Sequence, residues 1–195
     1  RKKAVTDKYS RKALEAVGAA LPRILKGPAD FAGLPEMLGG VGVRLVYVPA
    51  LPGAKIDGCA MIVDETRVIG LSGRGKRLDK VLFALVHEIA HLTHGHVKDD
   101  APIVETIDVD DDPDDHSDEA AQEREANETA AGWVLPGGLP QLPDRLSGPW
   151  VIHTAADADL APIVLVGHLQ HLRKLDWRTT LAKGAPNVDE VMARW

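Results

Sequence analysis

One apolar, helix-forming segment carries two histidines and a glutamate near its middle. Residues 78–93 place apolar side chains at helical spacing, and His87, Glu88 and His91 form the pattern H-E-x-x-H within them. Histidines four residues apart lie on the same face of an α-helix, so both imidazoles can bind one metal ion. Burying these polar groups in an apolar helix is costly unless something pairs them. The segment therefore predicts a metal site, in preference to a core histidine beside a surface glutamate.

A catalytic zinc site needs a third protein ligand and an open position for water. A third histidine at metzincin spacing is excluded, because that pattern needs glycine and histidine where this chain has His94 and Val97. A downstream carboxylate is the remaining choice. In a predicted helix over 119–134, helical spacing groups Glu125 with small apolar residues, which predicts that Glu125 is buried and is the third ligand. The alternative is a partly exposed Glu125 paired with a lysine or arginine.

The remaining segments predict an α+β fold. Residues 41–48 form a β-branched run, and residues 59–71 read as two strands joined by a turn at Asp64, Glu65 and Thr66. Further helices are predicted at 9–26, 29–38, 150–158 and 162–175, with a short last helix capped by Asn187. We therefore expect a small, mostly antiparallel three-stranded sheet packed with the H-E-x-x-H helix and a second ligand-bearing helix, plus a helical C-terminal tail.

These elements divide into three parts of one domain. Residues 1–38 form an N-terminal helical segment, residues 39–136 a metal-binding core, and residues 137–195 a linker and C-terminal helical part. The chain begins with Arg1 rather than methionine, which suggests that it is part of a longer protein with a further N-terminal domain.

The net charge of −6 comes from one segment. Residues 99–119 contain 11 of the 29 acidic residues and no lysine or arginine, and the rest of the chain carries a net charge of +5. The lost periodicity and repelling charges predict a mobile loop over 97–118. Because it joins the two predicted metal-bearing helices, we expect it to gate access to the site. No basic cluster with interleaved aromatic residues is present, so direct nucleic-acid binding is not expected.

Cysteine content and hydropathy predict the compartment. Cys59 is the only cysteine and cannot form an internal disulfide, which favours a reducing compartment, the cytoplasm. No apolar run reaches the roughly 18 residues that a membrane helix needs. We therefore expect a cytoplasmic protein without a membrane partner.

Two segments also carry a family resemblance. HEIAHLTHGH followed by EREANETAAGWVLP resembles the ImmA/IrrE family of zinc metallopeptidases, and the similarity extends over about residues 40–175. The resemblance implies bound Zn²⁺ with His87, His91 and Glu125 as ligands, Glu123 as the runner-up, and Glu88 as the general base. It further implies an endopeptidase that cleaves a repressor or antitoxin-like regulator protein. Family members are often fused to an N-terminal helix-turn-helix domain, which the start at Arg1 would fit.

A non-catalytic function is the alternative. In it, the chain is a regulatory or antitoxin-like binding module of a transcriptional regulator, and zinc only supports its fold. If the protein is a peptidase, a further donor to the oxyanion is expected. The candidate donors are His94, His96, His116 and His153. His168 and His171 are expected to mark the polar edge of their helix.

Overall fold

Seven α-helices, two 3₁₀ segments and one sheet form the part of the chain that the structure describes. The structure is a computed structural model, and it describes residues 5, 7–49, 53, 56–98, 103–105 and 117–195. The helices are α1 (Arg11–Ile24), α2 (Leu34–Gly39), α3 (Leu78–His94), α4 (Asp118–Val134), α5 (Gly148–Asp157), α6 (Pro162–His171) and α7 (Asp189–Met192). The strands are β1 (Val43–Val48), β2 (Gly58–Val63), β3 (Thr66–Ser72) and β4 (Ile103–Glu105), and the 3₁₀ segments are Pro28–Gly33 and Thr180–Ala182. The predicted α+β class with a helical C-terminal part is confirmed.

The strands form a mixed sheet in the order β1-β3-β2-β4. β2 and β3 form the predicted hairpin, whose turn residues Asp64 and Glu65 both have positive φ angles of 47° and 62°. Two left-handed residues in succession give a hairpin turn whose twist matches that of the strands. β1 pairs with β3 in parallel. β2 follows β1 in the chain but is not its neighbour in the sheet, because β3 lies between them. The prediction of a mostly antiparallel sheet holds for the other pairs.

β4 corrects the predicted extent of the loop over 97–118. Residues 103–105 pair antiparallel with β2, from Ala60–Ile103 to Gly58–Glu105. Strand pairing satisfies the backbone groups that β2 presents on the side away from β3. Three residues are too short for a period-2 pattern to be read from sequence. The remainder of the acidic stretch, residues 99–102 and 106–116, and with it most of the predicted gating loop, lies outside the described residues.

α3 lies at the centre of the fold. It packs against α1 and α4, against β2 and β3, and against α6. From Val81 to Thr93 every residue except Phe83 is buried. The helix ends at Gly95, whose φ of 76° lies in the left-handed region that glycine adopts at little cost. The H-E-x-x-H residues are therefore carried by a helix that is held on several sides.

α1 fixes the position of α4 against α3. The Arg23 guanidinium donates hydrogen bonds to the carbonyl oxygens of Trp133 and Val134, the second at 2.9 Å, at the end of α4 where helix carbonyls lack partners. Leu14 and Leu21 on α1 are wholly buried in the same hydrophobic core as Ile89 of α3. The elements of all three predicted segments of the chain contribute to this core.

Within the described residues, no single helix has the length and apolar character needed to cross a membrane. α5 and α6 together reach that length and composition, but the pair is bent by 103°.

Candidate metal centre

Three potential metal ligands converge between α3 and α4. His87 and His91, one turn apart on α3, are both wholly buried, and their Nε2 atoms lie 2.9 Å apart. Glu123 of α4 places one carboxylate oxygen 3.2 Å from His87 Nε2 and the other 3.3 Å from His91 Nε2. Ligand atoms at about 2.1 Å from a tetrahedral zinc are about 3.4 Å apart. These three residues, which we call the inner cluster, could therefore hold one metal ion.

Glu123, not Glu125, is the carboxylate that reaches the two predicted histidine ligands. The prediction that Glu125 is buried is wrong, because its side chain is 55% exposed, whereas that of Glu123 is 34% exposed. The buried residues of α4 are Ala126, Ala130 and Val134, and Glu123 extends that face towards its N-terminal end. The predicted apolar stripe consists largely of alanines, whose small side chains are a weak indication of which face of a helix is covered.

Asn127 holds the ring of His87. Its side-chain oxygen lies 3.0 Å from His87 Nδ1, and an amide oxygen can only accept, so Nδ1 carries the hydrogen. A neutral imidazole protonated on Nδ1 has its lone pair on Nε2, the atom that faces Glu123. This is the arrangement of an outer partner that orients a metal-binding histidine.

His96 and Glu125 orient the ring of His91. Glu125 Oε2 lies 3.0 Å from His96 Nε2, and His96 Nδ1 lies 3.0 Å from His91 Nδ1. An ionised carboxylate only accepts, so a neutral His96 donates from Nε2 and accepts on Nδ1, and His91 then donates from Nδ1. The Nε2 lone pair of His91 then also points into the inner cluster. Two buried lone pairs that face a carboxylate are costly unless a cation lies between them, and a metal ion would supply that positive charge.

The charges of both glutamates are stabilised by their histidine neighbours. Burial alone would raise the pKa of Glu123, but when His87 and His91 are protonated on Nε2 as well as Nδ1, their hydrogen bonds and charges lower that pKa to about 2, in the place where a metal cation would act on the neutral rings' lone pairs. For Glu125 the hydrogen bond with His96 and the charge of His94 lower the pKa below its usual range. Both carboxyl groups are therefore ionised near neutral pH, as metal ligation requires.

Glu88 is buried next to the start of β2. Its side chain has no exposed surface, and a Cβ atom added to Gly58 would lie 2.6 Å from Glu88 Oε1. The glycine at position 58 thus leaves the space that the carboxylate occupies. Glu88 is held between α3 and the sheet while its neighbour His87 belongs to the inner cluster.

A second group of potential ligands lies beside the first. His94 Nδ1 is 3.2 Å from Glu125 Oε1, and His96 Nε2 is 3.0 Å from Glu125 Oε2. These three residues, which we call the outer cluster, could also hold a metal ion. His94 Nε2 contacts Thr129 Oγ1 at 2.8 Å, and the rings of His94 and His96 are nearly parallel at 18°.

The other predicted oxyanion donors lie elsewhere. His153 is 79% exposed on α5 and pairs with Asp157 one turn later, and His116 lies outside the described residues. Sequence reasoning missed Asn127 altogether and did not assign His96 to His91. The spacing of Glu123 and Asn127, four residues apart and so on one face of α4, was the available signal.

Comparison of the chain with protein-family models and with curated proteins finds no match in either set. The family resemblance therefore stays a prediction.

Proposed function

We propose that the protein is a metal-dependent peptidase with zinc in the inner cluster. The observation that carries this proposal is the convergence of His87 Nε2, His91 Nε2 and Glu123, with each histidine's Nδ1 already engaged by an outer partner. Two imidazoles and one carboxylate are the ligand set of many catalytic zinc sites, which leave a position for water. Structural zinc sites instead fill all four positions with protein ligands, most often including cysteines.

Glu88 supplies the general base. A metal ion held by the inner cluster supplies Lewis acidity that lowers the pKa of water and polarises a peptide carbonyl. Glu88 lies next to His87 in the sequence and about 100° around the helix, so its carboxylate can accept the proton of the attacking water. It then donates that proton to the leaving amine. Its burial against Gly58 limits the rotamers it can adopt, which keeps the carboxylate in place.

The substrate class follows from the family resemblance. We propose an endopeptidase of the ImmA/IrrE type that cleaves a regulator protein, in which Glu123 takes the ligand position expected for Glu125. The alternative, a zinc-stabilised binding module without activity, has the same inner cluster but gives Glu88 no chemical role.

A peptide library and metal analysis test the proposal. Purified protein is analysed for bound zinc and incubated with a proteome-derived peptide library, whose cleavage is followed by mass spectrometry. We expect about one tightly bound zinc and cleavage at a restricted set of sites. Glu88→Gln should keep the zinc and lose cleavage by about 100-fold or more. Equal cleavage by Glu88→Gln and wild type, or none by either with zinc bound, would favour the binding module.

A matched pair of glutamate variants tests the ligand assignment. Glu123→Gln removes an inner ligand, whereas Glu125→Gln removes an outer partner and should weaken zinc by only about 10-fold. We expect the larger loss of zinc affinity in Glu123→Gln, measured by competition with a chelator. The reverse order would restore Glu125 as the ligand.

A further inference from the structure

The outer cluster has the donor atoms of a second metal site and lies nearer the surface than the inner one. The side chains of His94, His96 and Glu125 are 25%, 7% and 55% exposed, whereas those of His87 and His91 are not exposed at all. His94 presents Nδ1, His96 presents Nε2, and each faces a different oxygen of Glu125. These atoms all lie within 4.8 Å of one another.

The remaining nitrogen of each outer histidine already has a partner suited to metal binding. His94 Nε2 lies 2.8 Å from the hydroxyl of Thr129, which can accept a hydrogen bond. His94 can therefore donate from Nε2 and offer its Nδ1 lone pair. His96 can offer its Nε2 lone pair only if its hydrogen lies on Nδ1, the atom that faces His91 Nδ1 at 3.0 Å.

That last contact joins the two clusters through a single hydrogen atom. For the inner cluster to bind metal, His91 must donate from Nδ1 and His96 must accept, which leaves the hydrogen of His96 on Nε2. For the outer cluster to bind metal, His96 must donate from Nδ1 and His91 must accept, which places the hydrogen of His91 on Nε2. Each neutral ring keeps one hydrogen in both states, but only one cluster at a time has the lone pair it needs.

We propose that the outer cluster is a second site for a divalent transition-metal ion, and that its occupation opposes metal binding by the inner cluster. The opposition rests on the proposed function, because it concerns the metal that the peptidase needs. Two imidazoles and a carboxylate suit zinc, cobalt, nickel or copper. Excess metal then acts as an inhibitor through this chain's own residues.

The coupling has a definite consequence for affinity. With the inner cluster filled, the outer metal can enter only if the 3.0 Å contact between His91 and His96 opens, so that both rings can carry their hydrogen on Nδ1, and its affinity therefore falls. Coupling between sites is reciprocal, and a factor on the order of tenfold or more is expected. Emptying the inner cluster should therefore strengthen the outer site by the same factor.

Zn²⁺ titration of the metal-free full chain tests the proposal, with bound metal measured by calorimetry and by equilibrium dialysis. Wild type should bind one equivalent tightly and a second more weakly. His94→Gln should lose the second equivalent and keep the first within about twofold, since the polar contacts seen for the His94 side chain within the described part of the chain are with Glu125 and Thr129, and neither is an inner ligand. Glu123→Gln should lose the tight equivalent and bind at the outer cluster about tenfold or more tightly than wild type does.

The outcomes separate this proposal from the proposed function. A single equivalent in wild type at millimolar zinc, unchanged in His94→Gln, overturns the outer site. Equal affinity of the outer site in wild type and Glu123→Gln overturns the opposition. If wild type binds no zinc tightly, the result counts against the proposed peptidase. Weaker zinc binding that His94→Gln abolishes would still support a metal site at the outer cluster.

Discussion

The side-chain amide of Asn127 orients the ring of His87. Its oxygen accepts from His87 Nδ1 and thereby fixes which nitrogen faces the inner cluster. We predict that Asn127→Ala lowers zinc affinity by about 10- to 100-fold, because the ring loses its orienting partner. Asn127→Asp keeps an acceptor and should recover most of the affinity. Chelator competition measures both, with Glu128→Ala, an exposed position on α4, as the control; equal affinities for Asn127→Ala and Glu128→Ala would contradict the assignment.

At the residue scale, the two histidines of the inner cluster could be predicted from the sequence, whereas its carboxylate, Glu123, could not. His87 and His91 were predictable because the i, i+4 spacing alone places them on one face of α3. The choice between Glu123 and Glu125 depends on how α4 is rotated against α3. That rotation is set by packing at Ala126, Ala130 and Val134, residues too small or too few to mark the face from sequence.

At the scale of elements, α1 approaches both α3 and α4 closely at Gly18. A Cβ atom there would lie 2.6 Å from Trp133 Cζ3 and 3.0 Å from Ile89 Cγ2. Alanine in place of a helical glycine gains about 1 kcal/mol of helix propensity, but overpacking a core costs about 1 to 3 kcal/mol. Because the added Cβ would meet the wholly buried Ile89 as well as Trp133, we predict that overpacking outweighs the gain in propensity and that Gly18→Ala lowers the free energy of unfolding by up to about 2 kcal/mol.

Gly132 provides the matched control for that substitution. It lies near the end of α4, and an added Cβ would meet nothing within 4 Å. Gly132→Ala should therefore stabilise the protein by about 0.5 to 1 kcal/mol through helix propensity alone. Urea unfolding of the two variants measures the contrast. Stabilisation by both would mean that α1 can shift away from Trp133 without cost.

The elements themselves were largely predictable, and their pairing was not. α3 was predicted over 78–93 and spans Leu78–His94, since its period and its Gly95 terminus are local signals. The parallel pairing of β1 with β3 and the existence of β4 depend on contacts between residues far apart in the chain. Neither leaves a local pattern that could be read in advance.

At the scale of the whole molecule, His168 is buried where α6 packs against α3. The sequence placed His168 on a polar edge of its helix, but the residue is 5% exposed and lines a small apolar cavity with Leu82, Phe83 and Val164. α6 packs against α3, α4, α5 and the 3₁₀ segment Thr180–Ala182, so it is covered on more sides than the spacing of its apolar residues indicates. Among the described residues, its Nδ1 has no hydrogen-bond partner.

We predict that this buried histidine makes the stability of the fold sensitive to acid. Desolvation, with the charge of His171, lowers the pKa of His168 to about 4 from its usual 6.5. Between these values the unfolded chain binds a proton that the folded one does not, so stability is complete above about pH 6.5 and falls as the pH falls towards 4. The loss attributable to His168 between pH 7 and pH 5 is about 2 kcal/mol.

His168→Leu removes this contribution while keeping an apolar side chain in the cavity. Whatever its effect at pH 7, the variant should lose about 2 kcal/mol less than wild type between pH 7 and pH 5, as measured by urea unfolding at both values. The other histidines are common to both proteins, so any contribution that they make cancels in the difference. His153→Gln, which alters a side chain that is 79% exposed, should follow wild type. Parallel losses in wild type and His168→Leu would mean that His168 accepts a proton in the folded protein as readily as in the unfolded chain.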